Sequence, residues 1–238
     1  GNLNPLIRTL MPLMVPHQRK LDLQAARQVD VFLANSTETQ QRIKKYYNRN
    51  SIVIHPPVDI SRFTPATKRG DHYVTIGRQL PYKRYDLAVT AATKLGKKLI
   101  VFGNGPAHSR LVDLAGPTVE FRTDRFGDAS DAEYEKAITT ARGFIYPAEE
   151  DFGIVSVEAL AAGAPVIGLA RGGTTDIVTS PEVGVLFDRQ TSISVAKAIE
   201  QAEKQTFDPA VLRRTAQRFD KTLFLTKLRK VVRDQMIK

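Results

Sequence analysis

From residue 73 onward, short apolar runs alternate with longer stretches in which apolar positions recur at helical spacing. The runs at 73–76, 98–102, 118–121, 143–146, 165–169 and 183–187 read as strands, that at 143–146 as a buried one. Between them, 84–95, 107–115, 131–141, 153–162 and 174–178 carry the helical pattern, and 191–204, 208–218 and 221–236 follow as closing helices. Such alternation predicts an α/β fold with a doubly wound, Rossmann-like parallel sheet. Ahead of it, residues 6–15 are apolar but interrupted by Pro12 and Pro16, and 19–28 are helical through Leu21, Ala25 and Ala26. Strands are expected at 31–34 and 51–55, flanking a helix over 37–47 capped by Asn35-Ser36. Residues 56–70, rich in Pro and turn formers, read as a linker.

Composition fits this picture: 238 residues, 42% hydrophobic and 25% charged, are enough for one sizeable core plus an appendage. No apolar run approaches the roughly 18 residues that span a bilayer, and residues 1–30 show no cleavable signal pattern, so a cytoplasmic protein is expected. Without cysteine there are no disulfides and no thiolate metal sites. None of His17, His55, His72 and His108 has metal-ligand spacing, and no metal is expected. The net charge of +10 resides at the two ends, with a balance of +5 over residues 1–50 and +5 over 221–238, while 51–220 is neutral. A nucleic-acid platform should show its positive excess on the central domain, so nucleic acid is not expected as a partner. Anionic lipid attracts basic segments by about 1 kcal/mol per Lys or Arg. The ends therefore read as a peripheral membrane face or as a solvated basic surface.

The candidate chemistry lies in Pro-Ala-Glu-Glu-Asp-Phe-Gly-Ile-Val-Ser-Val-Glu-Ala-Leu-Ala-Ala-Gly, residues 147–163. Pro147 ends the strand before it. Val155, Glu158, Ala159 and Ala162 fall at helical spacing, Gly163 is a stop signal and Pro165 blocks continuation. A helix beginning near Gly153 points its free N–H groups and positive dipole end at the mouth of the sheet, where an anion such as a diphosphate is stabilised. Glu158 then lies about 7 Å along the axis from the helix start, and Glu150 sits in the turn. Carboxylates accept hydrogen bonds in pairs and suit the vicinal hydroxyls of sugars. Gly103-Asn-Gly-Pro does not extend to a dinucleotide fingerprint, because His108 stands at its third glycine position.

With Glu150 and Glu158 spaced as Glu-x7-Glu, the chain resembles the retaining glycosyltransferases of family 4, which have the GT-B fold. The segment Ile76-Gly-Arg-Gln-Leu-Pro-Tyr-Lys-Arg-Tyr-Asp86 resembles that family's Gly-Arg-Leu…Lys-x-x-Asp, and Phe102-Gly-Asn-Gly-Pro106 its Gly-x-Gly-Pro turn. Gly172-Gly173 followed by Asp176 occupies the place of its Gly-Gly-x-x-Glu loop, with a shorter acid. Ala34-Asn-Ser36, Arg42-Ile43, Tyr46-Tyr47, Pro56-Pro57-Val58-Asp59, Pro81-Tyr82-Lys83-Arg84 and Glu149-Glu-Asp-Phe-Gly153 look most like bacterial O-antigen and exopolysaccharide mannosyltransferases. The matches are collinear from about residue 30 to 190.

The resemblance implies a catalytic set of Arg78, Lys83 and Glu150. Gly77, Arg78 and Lys83 would meet the donor diphosphate, Gly103 and Gly105 would pass close to the nucleotide, and Phe121 and Arg122 open a base-side segment that runs through Arg125 to Phe126. Glu150 would face the transferred sugar and Glu158 the ribose. Phe152, Gly153, Ile154 and Val155 would present backbone N–H groups, and Gly172, Gly173 and Thr174 could close over the same site. Glu149 and Asp151 read as solvated or capping residues, Asp151 standing where the family often has Gly, and Asp176 as a helix cap. No cofactor is implied beyond the nucleoside-diphosphate-sugar donor, with GDP-mannose the preferred guess.

The implied organisation places a remnant of the N-terminal, acceptor-side domain and its linker at residues 1–58 and the donor-binding domain at 59–220. A basic helix at 221–238 would cross back toward the N-terminal segment. The bulk of an acceptor domain would precede residue 1. The chain is then expected to bind a nucleotide sugar, and to transfer a hexose to a glycan or lipid-linked acceptor poorly by itself. Two other classes stay open. One is a non-catalytic nucleotide-sugar-binding subunit of a split enzyme, which needs a partner chain and exposes apolar surface around residues 6–15. The other is a nucleic-acid-binding Rossmann-like domain using the basic ends; a GT-B epimerase is a further variant within the enzyme class.

Overall fold

The computed structural model describes residues 5–122 and 130–236. The chain opens with α1 (Pro5–Arg27), β1 (Phe32–Ala34), α2 (Thr37–Tyr47) and β2 (Ser51–Val53). The α/β alternation follows as β3 (His72–Ile76), α3 (Tyr85–Leu95), β4 (Lys98–Phe102), α4 (His108–Leu114), β5 (Val119–Arg122), α5 (Asp131–Thr140), β6 (Gly143–Tyr146), α6 (Ile154–Ala161), β7 (Val166–Leu169), α7 (Thr174–Ile177) and β8 (Gly184–Phe187). It closes with α8 (Ser192–Glu203), α9 (Pro209–Ala216) and α10 (Lys221–Met236).

Strands β3 to β8 form one six-stranded sheet in the order β5-β4-β3-β6-β7-β8, and every pairing is parallel. This is the expected doubly wound sheet. Its inner strands β6 and β7 are buried at every position because both faces are covered. One face packs against α5, α6 and α9 through residues such as Ile138, Val157, Leu160 and Leu212, and the other against α3 and α8 through Ala88, Val89, Val195 and Ile199.

Ahead of the sheet, β1 and β2 pair in parallel, Phe32 opposite Ser51, with α2 as their crossover. Ser36 caps α2 as expected, its Oγ accepting from the Thr39 N–H at 3.0 Å. Two expectations need correction. The apolar stretch before residue 16 is not separated from the following helix: α1 runs unbroken through Pro12 and Pro16. Each proline removes one N–H from the ladder, but its ring holds a helical φ, and the Leu, Met, Gln, Arg, Lys and Ala around them are strong helix formers. The stretch 56–70 is not a plain linker either. It contains a 3-10 turn at Ile60–Arg62 and drives Phe63 fully into the core.

The chain returns to this stretch at its far end. Val58 pairs with Asp220, the Val58 N–H donates to the Phe219 carbonyl at 3.0 Å, and Lys221 meets Asp59 at 2.8 Å. Beyond that junction α10 buries none of its residues. Among the described residues, no helix is long and apolar enough to cross a membrane.

Candidate functional site

Strand order reverses between β3 and β6, so the loops that follow them leave the sheet in opposite directions and open a crevice at its carboxyl edge. The loop after β3 supplies Gly77, the exposed Arg78 and a 3-10 turn at Pro81–Lys83; the loop after β6 supplies Glu150. The two meet through Glu150. Lys83 Nζ lies 2.9 Å from its Oε1, and the Tyr82 hydroxyl donates to the same oxygen at 3.2 Å. The Tyr146 hydroxyl, at the end of β6, donates to Oε2. Burial works to raise the Glu150 pKa, but donation from Tyr146, Lys83 and Tyr82 outweighs it and holds the carboxyl below its ordinary range. The same burial and the adjacent carboxylate push the Tyr146 phenol far up, so it stays a proton donor.

Three residues beyond Glu150, Gly153 begins α6 from a left-handed φ of 91°. A side chain there would be strained, and its Cβ would lie 2.9 Å from the Tyr146 ring. No side chain caps α6; the Ser156 N–H is taken by the Gly153 carbonyl at 2.9 Å, and those of Ile154 and Val155 keep their donor capacity at the crevice. Ile154 is exposed and Val155 partly so, whereas Phe152 turns inward, stacked on His55 at 5.5 Å and edge-on to Phe219 at 5.4 Å. Phe152 can therefore serve the crevice by its backbone alone.

Glu158, further along α6, is partly buried and accepts from the Tyr134 hydroxyl at 3.1 Å. Tyr134 is itself buried, edge-on to Phe63 and Phe102. Burial dominates here and raises the Glu158 pKa. The Tyr134 hydrogen bond and Arg62 oppose it, and Asp131 and Glu135 add to it.

Supporting loops bring the remaining predicted residues together. Gly103, at φ 96°, faces the Gly77 carbonyl so closely that a Cβ would lie 2.5 Å from the oxygen. Gly77 and Gly103 thus let the loops after β3 and β4 touch. Gln79, which sequence reasoning passed over, braces them. It is fully buried, its Nε2 donates to the Gly103 carbonyl at 2.6 Å, and its Oε1 lies 2.8 Å from His108 Nδ1. The Gly105 N–H is taken by the Asn104 side chain at 2.7 Å.

Phe121 is edge-on to His108 at 5.3 Å, and Arg122 is engaged by Glu120 at 2.6 Å. Arg125 and the rest of the base-side segment to Phe126 lie outside the described residues. Gly172, Gly173 and Thr174 are buried behind the Glu150 turn, the Gly173 N–H donating to the Glu150 carbonyl at 2.9 Å. They back the turn and pack on its main chain.

A joint to the N-terminal unit also escaped sequence reasoning. Asp176 acts as a helix cap, but of α2: its Oδ2 accepts from the Thr37 N–H at 2.7 Å and lies 3.1 Å from His55 Nε2. Asp151 meets Arg42 at 2.8 Å, and Glu149 is exposed. Arg42 belongs to the Arg42-Ile43 motif, yet nothing in one dimension gave its partner. Tyr82, too, lay within the Pro-Tyr-Lys-Arg motif, and Tyr146 read only as the last residue of a core strand. Among the described residues no cluster of His, Cys, Asp and Glu is suited to a metal ion.

Comparison with known proteins fits this geometry. Residues 59–219 match the family described as glycosyl transferases group 1. A D-inositol 3-phosphate glycosyltransferase of Salinispora tropica is 28% identical over 234 residues, covering 82% of this chain and 48% of that protein. The chain thus spans about half the length of the curated relatives it matches. In fold it is similar to sucrose-phosphate synthase from Thermosynechococcus elongatus, with a TM-score of 0.76 at 20% identity over 93% of this chain and 62% of that one. HepE of Anabaena, solved with UDP and glucose, gives 0.74 at 19% identity over 91% and 66%. These structural neighbours are GT-B glycosyltransferases.

Proposed function

Because the chain belongs to the group 1 glycosyltransferases, we propose that it forms the donor-binding half of a retaining hexosyltransferase that takes sugar from a nucleoside diphosphate sugar. The observation that carries this reading is the arrangement along α6: a Lys83–Glu150 pair at its uncapped N-terminus and a second carboxylate, Glu158, further along it. A sugar nucleotide has three parts that these groups suit in order. Glu158 takes the ribose hydroxyls, the α6 N–H groups with Lys83 and Arg78 take the diphosphate, and Glu150 takes the hydroxyls of the hexose.

In the free chain Lys83 and Glu150 neutralise one another. The donor divides them, the diphosphate drawing Lys83 and the sugar drawing Glu150. When the bond from the sugar's anomeric carbon to the diphosphate oxygen breaks, Lys83, Arg78 and the helix end stabilise the charge that develops on the leaving group. The acceptor oxygen bonds to the anomeric carbon on the same face, and its proton passes to the departing phosphate.

The donor is GDP-mannose on the strength of the segments at 56–59 and 81–84. The acceptor is a glycan or a lipid-linked molecule, the latter met at the inner membrane face by the basic segments at both ends of the chain. α1 exposes Met11, Leu13 and Met14, and α10 exposes Leu223, Leu225 and Val232. This exposed apolar surface favours a second form of the reading, in which the acceptor side is completed by further polypeptide. Proximity of the acceptor contributes about 7–11 kcal/mol when fully exploited, so the chain alone binds donor and turns over poorly.

Calorimetric titration with GDP, GDP-mannose, UDP and UDP-glucose tests the proposal. Saturable binding that prefers one base and falls at least tenfold in Lys83→Ala is expected. A folded chain that binds none of the four overturns it.

A further inference from the structure

The two ends of the turn from Glu150 to Gly153 share one support. The Tyr146 hydroxyl donates to Glu150 Oε2, and the edge of the same ring lies directly under Gly153, where α6 starts. The ring is 1% exposed and stacks on Phe144 at 5.9 Å, so core packing fixes its position. Glu150 Oε1 is held differently, by Lys83 and by Tyr82, a residue that is 55% exposed. Lys83 is the group a diphosphate would draw away. Tyr146 would then remain as the rigid anchor of the carboxylate.

Resting on the donor-binding reading above, we propose that Tyr146 is a positioning residue for the sugar half of the site: it keeps Glu150 Oε2 committed when Lys83 leaves Oε1 for the diphosphate, so that Oε1 can turn to sugar hydroxyls, and so sets how much affinity the sugar adds to the nucleotide. The nucleotide half depends on Glu158 and the α6 N–H groups and does not pass through the Tyr146 hydroxyl. Removing that hydroxyl separates the two contributions.

Tyr146→Phe keeps the ring against Phe144 and Gly153, so folding is retained; a melting curve and a circular dichroism spectrum confirm it. Two readouts follow. The Glu150 carboxyl, followed by carbon-13 NMR titration in the free protein, titrates at higher pH in Tyr146→Phe, because a donor to its charged form is gone. In calorimetry, affinity for the nucleoside diphosphate changes less than about twofold, whereas the extra affinity of the nucleotide sugar falls about fivefold to tenfold, the size of one ordinary hydrogen bond, because the loss acts through Glu150. Tyr82→Phe, losing a longer and more exposed bond, reduces that extra affinity less than twofold.

An unshifted Glu150 titration, an equal loss for nucleotide and nucleotide sugar, or equal losses in the two tyrosine variants would each overturn the assignment. Failure of the wild-type chain to bind any nucleotide would instead overturn the donor-binding reading, while the Glu150 titration would still decide whether Tyr146 holds the carboxylate.

Discussion

Glu150 and Glu158 are the same side chain at either end of one short motif, and their surroundings drive them apart. Glu150 has three donors, two of them phenols and one a cation, and its pKa is lowered. Among the described residues Glu158 has one neutral donor, Tyr134, and burial raises its pKa. A carboxylate offers about four acceptor positions. The described residues fill most of those on Glu150 and one of those on Glu158. In the proposed reading Glu150 is thus a pre-oriented anion that would exchange partners when donor arrives. Glu158 is held at a cost that ribose hydroxyls would relieve. One residue type thus occurs in two electrostatic states at the two ends of the motif.

The comparison breaks most severely at the joint between them. Gly153→Ala puts a side chain at φ 91° and 2.9 Å from the Tyr146 ring. A loss of more than about 2 kcal/mol in chemical denaturation is expected, with nucleotide and sugar recognition weakened together.

Next comes Glu158→Gln. Nucleotide affinity in calorimetry should fall about 10- to 100-fold, as when a charged acceptor is lost, yet the melting temperature at pH 7 should rise. The sign follows from the raised pKa. The folded form holds this proton more tightly than the unfolded chain, so its contribution to stability is complete below the ordinary carboxylate range and is lost as pH climbs through the folded value. The glutamine variant lacks that loss. A fall in melting temperature at pH 7 would contradict the assignment.

Glu150→Gln should behave oppositely and cost about 1–2 kcal/mol at pH 7, because Lys83 loses a partly buried partner. Wild-type stability from Glu150 is present above the ordinary carboxylate range and is lost as pH falls through the lowered folded value. Urea melts of wild type and variant should therefore converge on acidification. The smallest effect belongs to Arg42→Ala. Its pair with Asp151 is exposed on both sides, 42% and 53%, so less than about 1 kcal/mol is at stake. Nucleotide affinity there should stay within about twofold.

The sheet was legible in the chain because parallel strands covered on both faces must be apolar along their whole length, as 143–146 and 166–169 are. The position of Glu150 and Glu158 about one strand-turn-helix was legible for the same reason. α1 was misread at Pro12 and Pro16 because a proline's cost was counted without the helix formers around it. What the chain could not show were partners distant in sequence. Tyr146 in a strand looks like any core aromatic until its hydroxyl is seen to reach Glu150. Gln79 looks like a solvated loop residue until two backbones close on it. The opposite states of the two glutamates depend on Tyr82, Lys83 and Tyr134, and none of these contacts has a signature in spacing.

The most direct test of the central claim is a matched set of calorimetric titrations with a nucleoside diphosphate and its sugar conjugate against wild type, Glu150→Gln and Glu158→Gln. The account predicts that Glu158→Gln weakens both ligands by the same factor, while Glu150→Gln leaves the nucleotide unweakened and abolishes the additional affinity from the sugar. If Glu150→Gln weakens the bare nucleotide, or Glu158→Gln spares it, the division of the site between the two carboxylates is wrong.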